Sequence, residues 1–475
     1  MSSFNRWFRV LVGCLCLALS RGAVAADKPN IVFVITDDQG YADIAANGNP
    51  VVKTPHLDRL RSESVRFEDF LVSPTCSPTR SSLLTGRHEF KNGVTHTILE
   101  RERMTLKATT LPQMLKTAGY TTGIFGKWHL GDEAAYQPNK RGFDEVFIHG
   151  CGGIGQSYAG SCGDAPGNRY FNPALLHNGK FEKTQGYCTD LFFQQAEKWI
   201  GSVKGKQPFF AYIAPNAPHG PLVCPPEYEA KYPDQPKDVA AFFGMITNID
   251  DNLGRLLGKL NEWGIENDTL VIFMNDNGGT AGCKLFNAGM RGTKGTPYMG
   301  GIRASNFWRW PGKLKPAAVH KLTAHIDIFP TLMELTGTSV SADVKANWDG
   351  RSFLPLLSNS GADWPDRHVV THVGRWPKGS DPQQHKVENC SIRNSQFHLV
   401  SAGKNAKWEL FDLKTDPGEQ TDVSQQHPDV VKSLLAAYDH WWGEVVPLME
   451  NEDAVGPKEN PFKVLYQQQF GQAGN

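Results

Sequence analysis

Four stretches of the chain are apolar without alternation, and each runs into a polar cluster. Ile31-Val32-Phe33-Val34-Ile35 leads to Thr36-Asp37-Asp38-Gln39-Gly40, and Tyr120 to Phe125 leads to Gly126-Lys127-Trp128-His129. Pro208 to Ile213 leads to Ala214-Pro215-Asn216-Ala217-Pro218-His219, and Leu270 to Met274 leads to Asn275-Asp276-Asn277-Gly278-Gly279. Short unbroken runs rich in β-branched and aromatic residues read as strands buried on both faces. Helix-like stretches lie between them, among them His56 to Ser64, Thr110 to Ala118, Thr189 to Ile200 and Ala240 to Glu262. This alternation predicts an α/β fold with a large, mostly parallel central sheet flanked by helices, in which ligands bind at the carboxyl ends of the strands. The polar clusters stand at those ends.

From about Pro365 the pattern changes. Short extended pieces (Val369 to Val373, Phe397 to Val400, Lys407 to Leu413) precede one amphipathic helix from Pro428 to Trp442. They predict a smaller C-terminal antiparallel sheet with a covering helix. The tail from Asn451 is polar and is expected to pack loosely. At the other end, Arg6 and Arg9, the apolar run Val10 to Leu19 and the small residues Ala23-Val24-Ala25 make a secretory signal, removed before or at Ala26. The expected division is therefore 1–25 signal peptide, 26–364 N-terminal α/β domain carrying the chemistry, and 365–475 C-terminal α+β subdomain. Export to the periplasm or the medium is implied. Leu11-Val12-Gly13-Cys14 resembles a lipoprotein box but begins early in the apolar run. No later stretch approaches about 18 apolar residues, so no integral membrane segment is expected in the mature chain.

Composition narrows the function classes. The 49 Lys and Arg balance 49 Asp and Glu, which argues against binding nucleic acid or a membrane surface through bulk charge. Apolar residues at 40% exclude a disordered chain. Of nine cysteines, two fall in the signal. The remaining seven (Cys76, Cys151, Cys162, Cys188, Cys224, Cys283 and Cys390) are an odd number for an oxidising compartment, where six could form three disulfides in several pairings.

Asp37-Asp38 after one buried strand and Asp276-Asn277 after another offer three carboxylates and an amide, which converge if the strands are neighbours. An all-oxygen set favours Ca²⁺ or Mg²⁺ over Zn²⁺, although such residues also serve as turn formers and caps. Cys76-Ser77-Pro78-Thr79-Arg80 reads as a helix start, with Pro78 in the first turn and Gly86 near the stop. Cys76 at the positive end of a helix, with Arg80 one turn on, suits an anion or an acidified nucleophile; half of a disulfide is the other reading. Lys127 and His129 are two apart and would point the same way in an extended segment. With His219 and Lys294 from loops, they suit binding and cleavage of an oxyanion ester.

These residues resemble the signatures of the type I sulfatases. Cys76-Ser77-Pro78-Thr79-Arg80 continues as S-S-L-L-T-G-R and is similar to the family's C-x-P-x-R motif, whose cysteine is oxidised to formylglycine. D-D-Q-G (Asp37 to Gly40), G-K-W-H-L-G (Gly126 to Gly131), A-P-H-G-P (Ala217 to Pro221), N-D-N-G-G (Asn275 to Gly279), R-G-T-K-G (Arg291 to Gly295) and Trp408 to Glu419 extend the likeness. The resemblance implies an alkaline-phosphatase-like fold and an arylsulfatase-like sulfuric ester hydrolase. One Ca²⁺ would be held by Asp37, Asp38, Asp276, Asn277 and the modified residue 76. Arg80 and Lys127 would orient residue 76, His129 would act as base on its hydroxyl, and Lys127, His219 and Lys294 would hold the sulfate. His219 or Lys294 would assist the leaving oxygen. One hydroxyl of the hydrated aldehyde would attack sulfur, giving a sulfo-enzyme; the other would then collapse to the aldehyde and expel sulfate. Implied partners are a formylglycine-generating enzyme and a sulfated small-molecule or carbohydrate substrate. A phosphonate or phosphoester hydrolase of the same superfamily and an inactive sulfated-glycan-binding homologue are the rival readings. A two-zinc phosphatase would need further ligands, for which His325 and Asp327 are candidates, though Asp327 reads more simply as a helix cap. Thr293 and Ala304-Ser305-Asn306 depart from frequent family residues at the pocket lip. The glycine-rich stretch from His149 to Tyr170 is expected to help build the substrate pocket.

Overall fold

The structure, a computed structural model, describes residues 28–404 and 406–471. The expected signal peptide and the Cys14 box lie outside the described residues. A sheet of ten strands forms the centre, in the order Ala317–Val319, Val65–Phe67, Asn306–Arg309, Thr269–Asn275, Asn30–Thr36, Phe209–Ala214, Thr121–Lys127, Glu145–His149, Ala174–His177 and Lys180–Lys183. The five strands from Thr269–Asn275 to Glu145–His149 are parallel to one another; antiparallel neighbours extend both sides. The four apolar runs read from sequence are four of these five. Their residues are buried on both faces, which is why polar alternation is absent.

One face of the sheet packs on the helices Cys188–Val203 and Lys237–Glu262, whose apolar stripes meet Val32, Val34, Phe209, Ile213 and Phe273. The other face buries Ile31, Phe33, Ile35, Tyr212, Ile272 and Trp308 against elements including the helices Leu111–Thr117 and Ile328–Leu335. Among the described residues no helix is long and apolar enough to cross a membrane.

The second sheet is antiparallel: Val369–His372, Cys390–Arg393, Phe397–Ser401 and Glu409–Asp412. The helix Pro428–Val445 covers it through Leu434 and Tyr438. Among the ties that fasten it to the first unit are two made by its buried side chains. Arg393 grips Asp69 with two nitrogens at 2.9 and 2.8 Å, and the buried Glu419 accepts from the Met299 N–H and pairs with His398.

The expectation of a loose tail is overturned. Asn451 is buried and donates to the Gly93 and Arg103 carbonyls, and the helix Pro461–Phe470 returns to the edge strand Lys180–Lys183. There Gln469 both accepts from and donates to the Phe181 backbone, at 2.7 Å each way. Its few apolar residues, led by Phe462 at 1% exposure, fill a gap that hydropathy over the tail could not reveal.

Candidate active site

Register assembles the acidic group. Thr36 pairs with Asn275 at the ends of neighbouring parallel strands, so the residues that follow, Asp37-Asp38 and Asp276-Asn277, emerge side by side. Asp38 adopts left-handed backbone at φ 68°, unusual for a residue with a side chain. In that conformation its N–H donates to Asp276 Oδ1 at 3.2 Å and its Oδ1 accepts from Asn277 Nδ2 at 3.0 Å.

The helix Cys76–Thr85 begins beside this group, with extended Thr75 before it and Gly86 ending it at φ 69°. Pro78 sits in the first turn, where a missing N–H costs nothing. All ten residues are buried. The Cys76 sulfur and one oxygen each of Asp37 and Asp276 lie within 4.8 Å of one another. Arg80, one turn on, donates to Asp276 Oδ2 from Nε at 3.1 Å and from Nη2 at 2.8 Å. Lys127 ends its strand and donates to Asp37 Oδ2 at 2.6 Å. Gly126 before it must be glycine: at φ 117°, an added Cβ would lie 2.0 Å from the Ala214 carbonyl oxygen. Lys294 reaches Asp38 Oδ1 at 2.5 Å, its loop pinned by the Lys294 N–H on Gly279 O and the Gly295 N–H on Pro74 O.

The histidines close the site. Lys127 and His129 do not share an extended segment, because His129 is left-handed at φ 58°; the turn still delivers its ring to the site. His129 Nε2 lies 2.8 Å from the Thr97 carbonyl, and a carbonyl can only accept. Nε2 therefore carries the proton and Nδ1, buried and without a hydrogen-bond partner, is the free base. His219 donates from Nδ1 to Gly220 O at 2.8 Å and turns Nε2 toward Asp38, 3.9 Å away. The side chains of Lys294 and His219 are 15% and 14% exposed while Asp37, Lys127 and Arg80 are sealed, so access is from the Lys294 and His219 side.

Three carboxylates thus face three fixed cations. Burial lifts the Asp37 carboxyl to about 7 against the pull of Lys127. Burial opposes charge on Asp38 too, but Lys294 and His219 prevail and hold it well below the usual range. At Cys76 burial resists ionisation, yet Lys127 and Lys294 together lower the thiol. Burial and then Lys127 push the His129 imidazole far down, which keeps it neutral. Asp37 Oδ1 and Asn277 Oδ1 are buried with no hydrogen-bond partner. Two orphaned oxygens beside two further carboxylates suit a hard cation with oxygen ligands, and Asp37, Asp38, Asp276 and Asn277 could hold one.

Other expectations fare differently. Asp327 caps: it accepts from the Ala324 and Arg351 N–H groups and pairs with Arg367, while His325 bonds Ser73 and Leu71, so neither joins the acidic group. No cysteine pair is bonded among the described residues, and all seven cysteines read from the mature sequence are free. Only Cys151 and Cys162 meet there, with sulfurs 2.6 Å apart. Sequence reading missed Thr97, and it placed Gly152, Gly153 and His149 only within a stretch expected to help build the pocket, without individual roles. Thr97 acts through a backbone carbonyl, which any residue has. Gly152 and Gly153 wall the site, where an added Cβ would lie 2.5 Å from the His129 ring and 3.0 Å from that of His219. His149, at the end of the strand beside Lys127, is buried with an unpartnered Nε2, and the strand-end rule could have found it.

Comparison with known proteins gives consistent matches. The Sulfatase family profile matches residues 29–338, and that of the N-sulphoglucosamine sulphohydrolase C-terminal region matches residues 294–438. The chain is 32% identical to N-acetylgalactosamine-6-sulfatase of Rattus norvegicus over 90% of its own length and 87% of the relative's. It is 30% identical to arylsulfatase A of Homo sapiens, covering 88% and 89% respectively. The solved structure of Ps i-CgsB in complex with k-i-k-neocarrahexaose superposes with a TM-score of 0.78 at 28% identity, over 93% of this chain and 98% of that one.

Proposed function

The chain belongs to the sulfatase family and hydrolyses sulfate esters, and from that premise we propose which of its residues carry the reaction and on what substrate. Cys76 is oxidised to formylglycine by a formylglycine-generating enzyme. Hydrated, that aldehyde supplies a hydroxyl nucleophile on a carbon that can afterwards regenerate its carbonyl and release sulfate, a step closed to serine. His129, with Nδ1 free, takes the proton from residue 76. Arg80 fixes Asp276 and Lys127 fixes Asp37, so the acidic wall keeps its geometry as the anion enters. Lys127, His219 and Lys294 hold the sulfuryl oxygens, and His219 or Lys294, on the open side, gives a proton to the departing alcohol.

Asp37, Asp38, Asp276, Asn277 and residue 76 form the site for one Ca²⁺, which when bound supplies positive charge to the sulfuryl oxygens. The natural substrate is a sulfated carbohydrate, in keeping with relatives that act on N-acetylgalactosamine-6-sulfate or bind a carrahexaose. The protein is exported, residues 26–364 forming its catalytic domain and 365–475 its C-terminal subdomain.

The observation that carries these roles is the meeting of Cys76 with Asp37 and Asp276 within 4.8 Å, at a helix start flanked by lysines. The test is the mass of the peptide 71–87 beside turnover of 4-nitrophenyl sulfate. An aldehyde or its hydrate at residue 76 is expected, with Cys76→Ala and Cys76→Ser each losing more than about 10³-fold in kcat. A persistent thiol in fully active enzyme would overturn the roles assigned.

A further inference from the structure

The glycine-rich loop 150–163 stands against both histidines of the site, and two carboxylates close its neck. Asp132 accepts from the Cys151 N–H at 3.3 Å and from the Gly163 N–H at 2.9 Å, one donor from each side of the neck. Asp164 accepts from the Gly150 N–H at 3.0 Å and from the Gly155 N–H at 2.8 Å. Within the loop the chain doubles back, with the Tyr158 N–H on Cys162 O at 2.9 Å and the Asp164 N–H on Gln156 O at 2.8 Å. A carboxylate shared between residues 151 and 163 brings Cys151 and Cys162 together through the backbone.

At that neck the two sulfurs lie 2.6 Å apart. Cys151 is left-handed at φ 55°, a conformation that a residue with a side chain holds only where its surroundings impose it. The next residue, Gly152, passes so close to the His129 ring that an added Cβ would lie 2.5 Å from it, and Gly153 stands 3.0 Å from His219 by the same measure. On the other side of the neck, Ser161 Oγ accepts at 2.8 Å from the Leu99 N–H, two residues beyond the Thr97 carbonyl that holds His129 Nε2. Residues next to both cysteines therefore border the base, Gly152 by contact and Ser161 through the loop that carries Thr97. Both cysteines are buried, and the hydrolysis uses neither.

We propose that Cys151 and Cys162 are joined by a disulfide in the exported protein, and that this bond holds His129 in position by closing the loop that walls it. Each thiol gives up its hydrogen and the sulfurs join; the two electrons and two protons pass to a disulfide of the oxidising compartment, on a protein or a small molecule, which is reduced to two thiols. The sulfurs are already within reach of one another, so the backbone need not move. Gly152, Gly153, Gly155 and Gly160 give the ring 151–162 little side-chain packing of its own, and a covalent closure removes freedom that those glycines would otherwise have. Burial pushes the Cys151 thiol up, so the exchange belongs to the time before the loop is sealed. The bond also accounts for two of the six cysteines that remain once Cys76 is set aside. Its formation rests on the export proposed above, and its effect on turnover rests on the sulfatase reading in which His129 is the base.

The test uses the chain from residue 26 onward, sent by a host signal into an oxidising compartment, then denatured and alkylated without reductant. The tryptic peptide 142–169 holds both cysteines and no other. It is expected unalkylated and lighter than the dithiol by two hydrogen atoms, and to take two alkyl groups only after reduction. Cys151→Ala, Cys162→Ala and the double variant are each expected to lower the melting temperature by a few degrees and kcat for 4-nitrophenyl sulfate by about 10-fold, with KM changed less than about 2-fold. Equal losses in all three are the mark of a bond, because either substitution alone destroys it, whereas two separate packing contributions would add. The peptide recovered from that compartment with both thiols alkylated overturns the bond. Losses that add in the double variant, or an unchanged kcat, overturn its hold on His129. Failure of the wild type to turn over nitrophenyl sulfate would instead strike at the sulfatase reading, and the peptide mass would decide the bond by itself.

Discussion

Asp37 commits one carboxylate oxygen to Lys127 at 2.6 Å and leaves the other buried without a partner, and Asn277 leaves its amide oxygen in the same condition. Unmet buried acceptors of this kind destabilise the empty protein by about 1–3 kcal/mol each. Chelation is therefore expected to lower the melting temperature, and Ca²⁺ to restore it more fully than Zn²⁺; a melt indifferent to EDTA would contradict the ligand set. A second residue gives a pH signature away from the metal. Glu102 is 2% exposed, and burial lifts its carboxyl to about 8 from an ordinary 4.5. Below the ordinary value folded and unfolded chains both hold the proton; above it the unfolded chain releases a proton that the folded chain keeps. Stability therefore declines as pH rises from the ordinary value to about 8, by an amount on the order of a few kcal/mol. Glu102→Gln should raise the melting temperature at pH 8 and leave it nearly unchanged at pH 4, measured by calorimetry.

Elements were legible where one physical force decided them. The four apolar runs had to be central strands because nothing else buries both faces of so short a segment, and the Cys76 helix was marked by Pro78 and Gly86. Less legible were the strands Ala174–His177 and Lys180–Lys183, which are short, and Cys390–Arg393, whose Ser and Arg hide its burial. The acidic residues could be listed from the chain, but their convergence needed the pairing of Thr36 with Asn275, a fact of register between segments more than 200 residues apart. The loop around Cys151 could be read only as part of the pocket, because the detail of its work is done by missing side chains. An alanine at 152 would put a methyl 2.5 Å from the His129 ring, where backbone cannot yield without moving the base. Gly152→Ala is expected to cut kcat by about 10–100-fold, as a small displacement of a reacting group does, while the thermal melt stays close to wild type. Unaltered turnover in that variant would show that the wall does not set the position of His129.

At the scale of the whole molecule, the second sheet is tied to the loops that carry the acidic and basic cluster. Glu419 is fully buried at left-handed φ 58° and ties the Met299 N–H, just beyond the Lys294 loop, to His398 of the second sheet. Glu419→Ala would strand both donors, costing about 2–4 kcal/mol in denaturant titration, and would raise KM for aryl sulfates as Lys294 loosens. A variant with unchanged stability and KM would mean that the two sheets act independently. The last helix extends this dependence to the end of the chain. Phe462 fills the space beside Gly150, and Asn460 lies against Gly163, so the loop that walls the histidines rests on residues translated some 385 positions after Cys76. At about 5–20 residues per second, roughly 20–80 s of synthesis separate Cys76 from the residues that support this loop. Cys76 is 1% exposed in the folded chain, so the oxidation proposed for it is expected to act on the polypeptide before it folds.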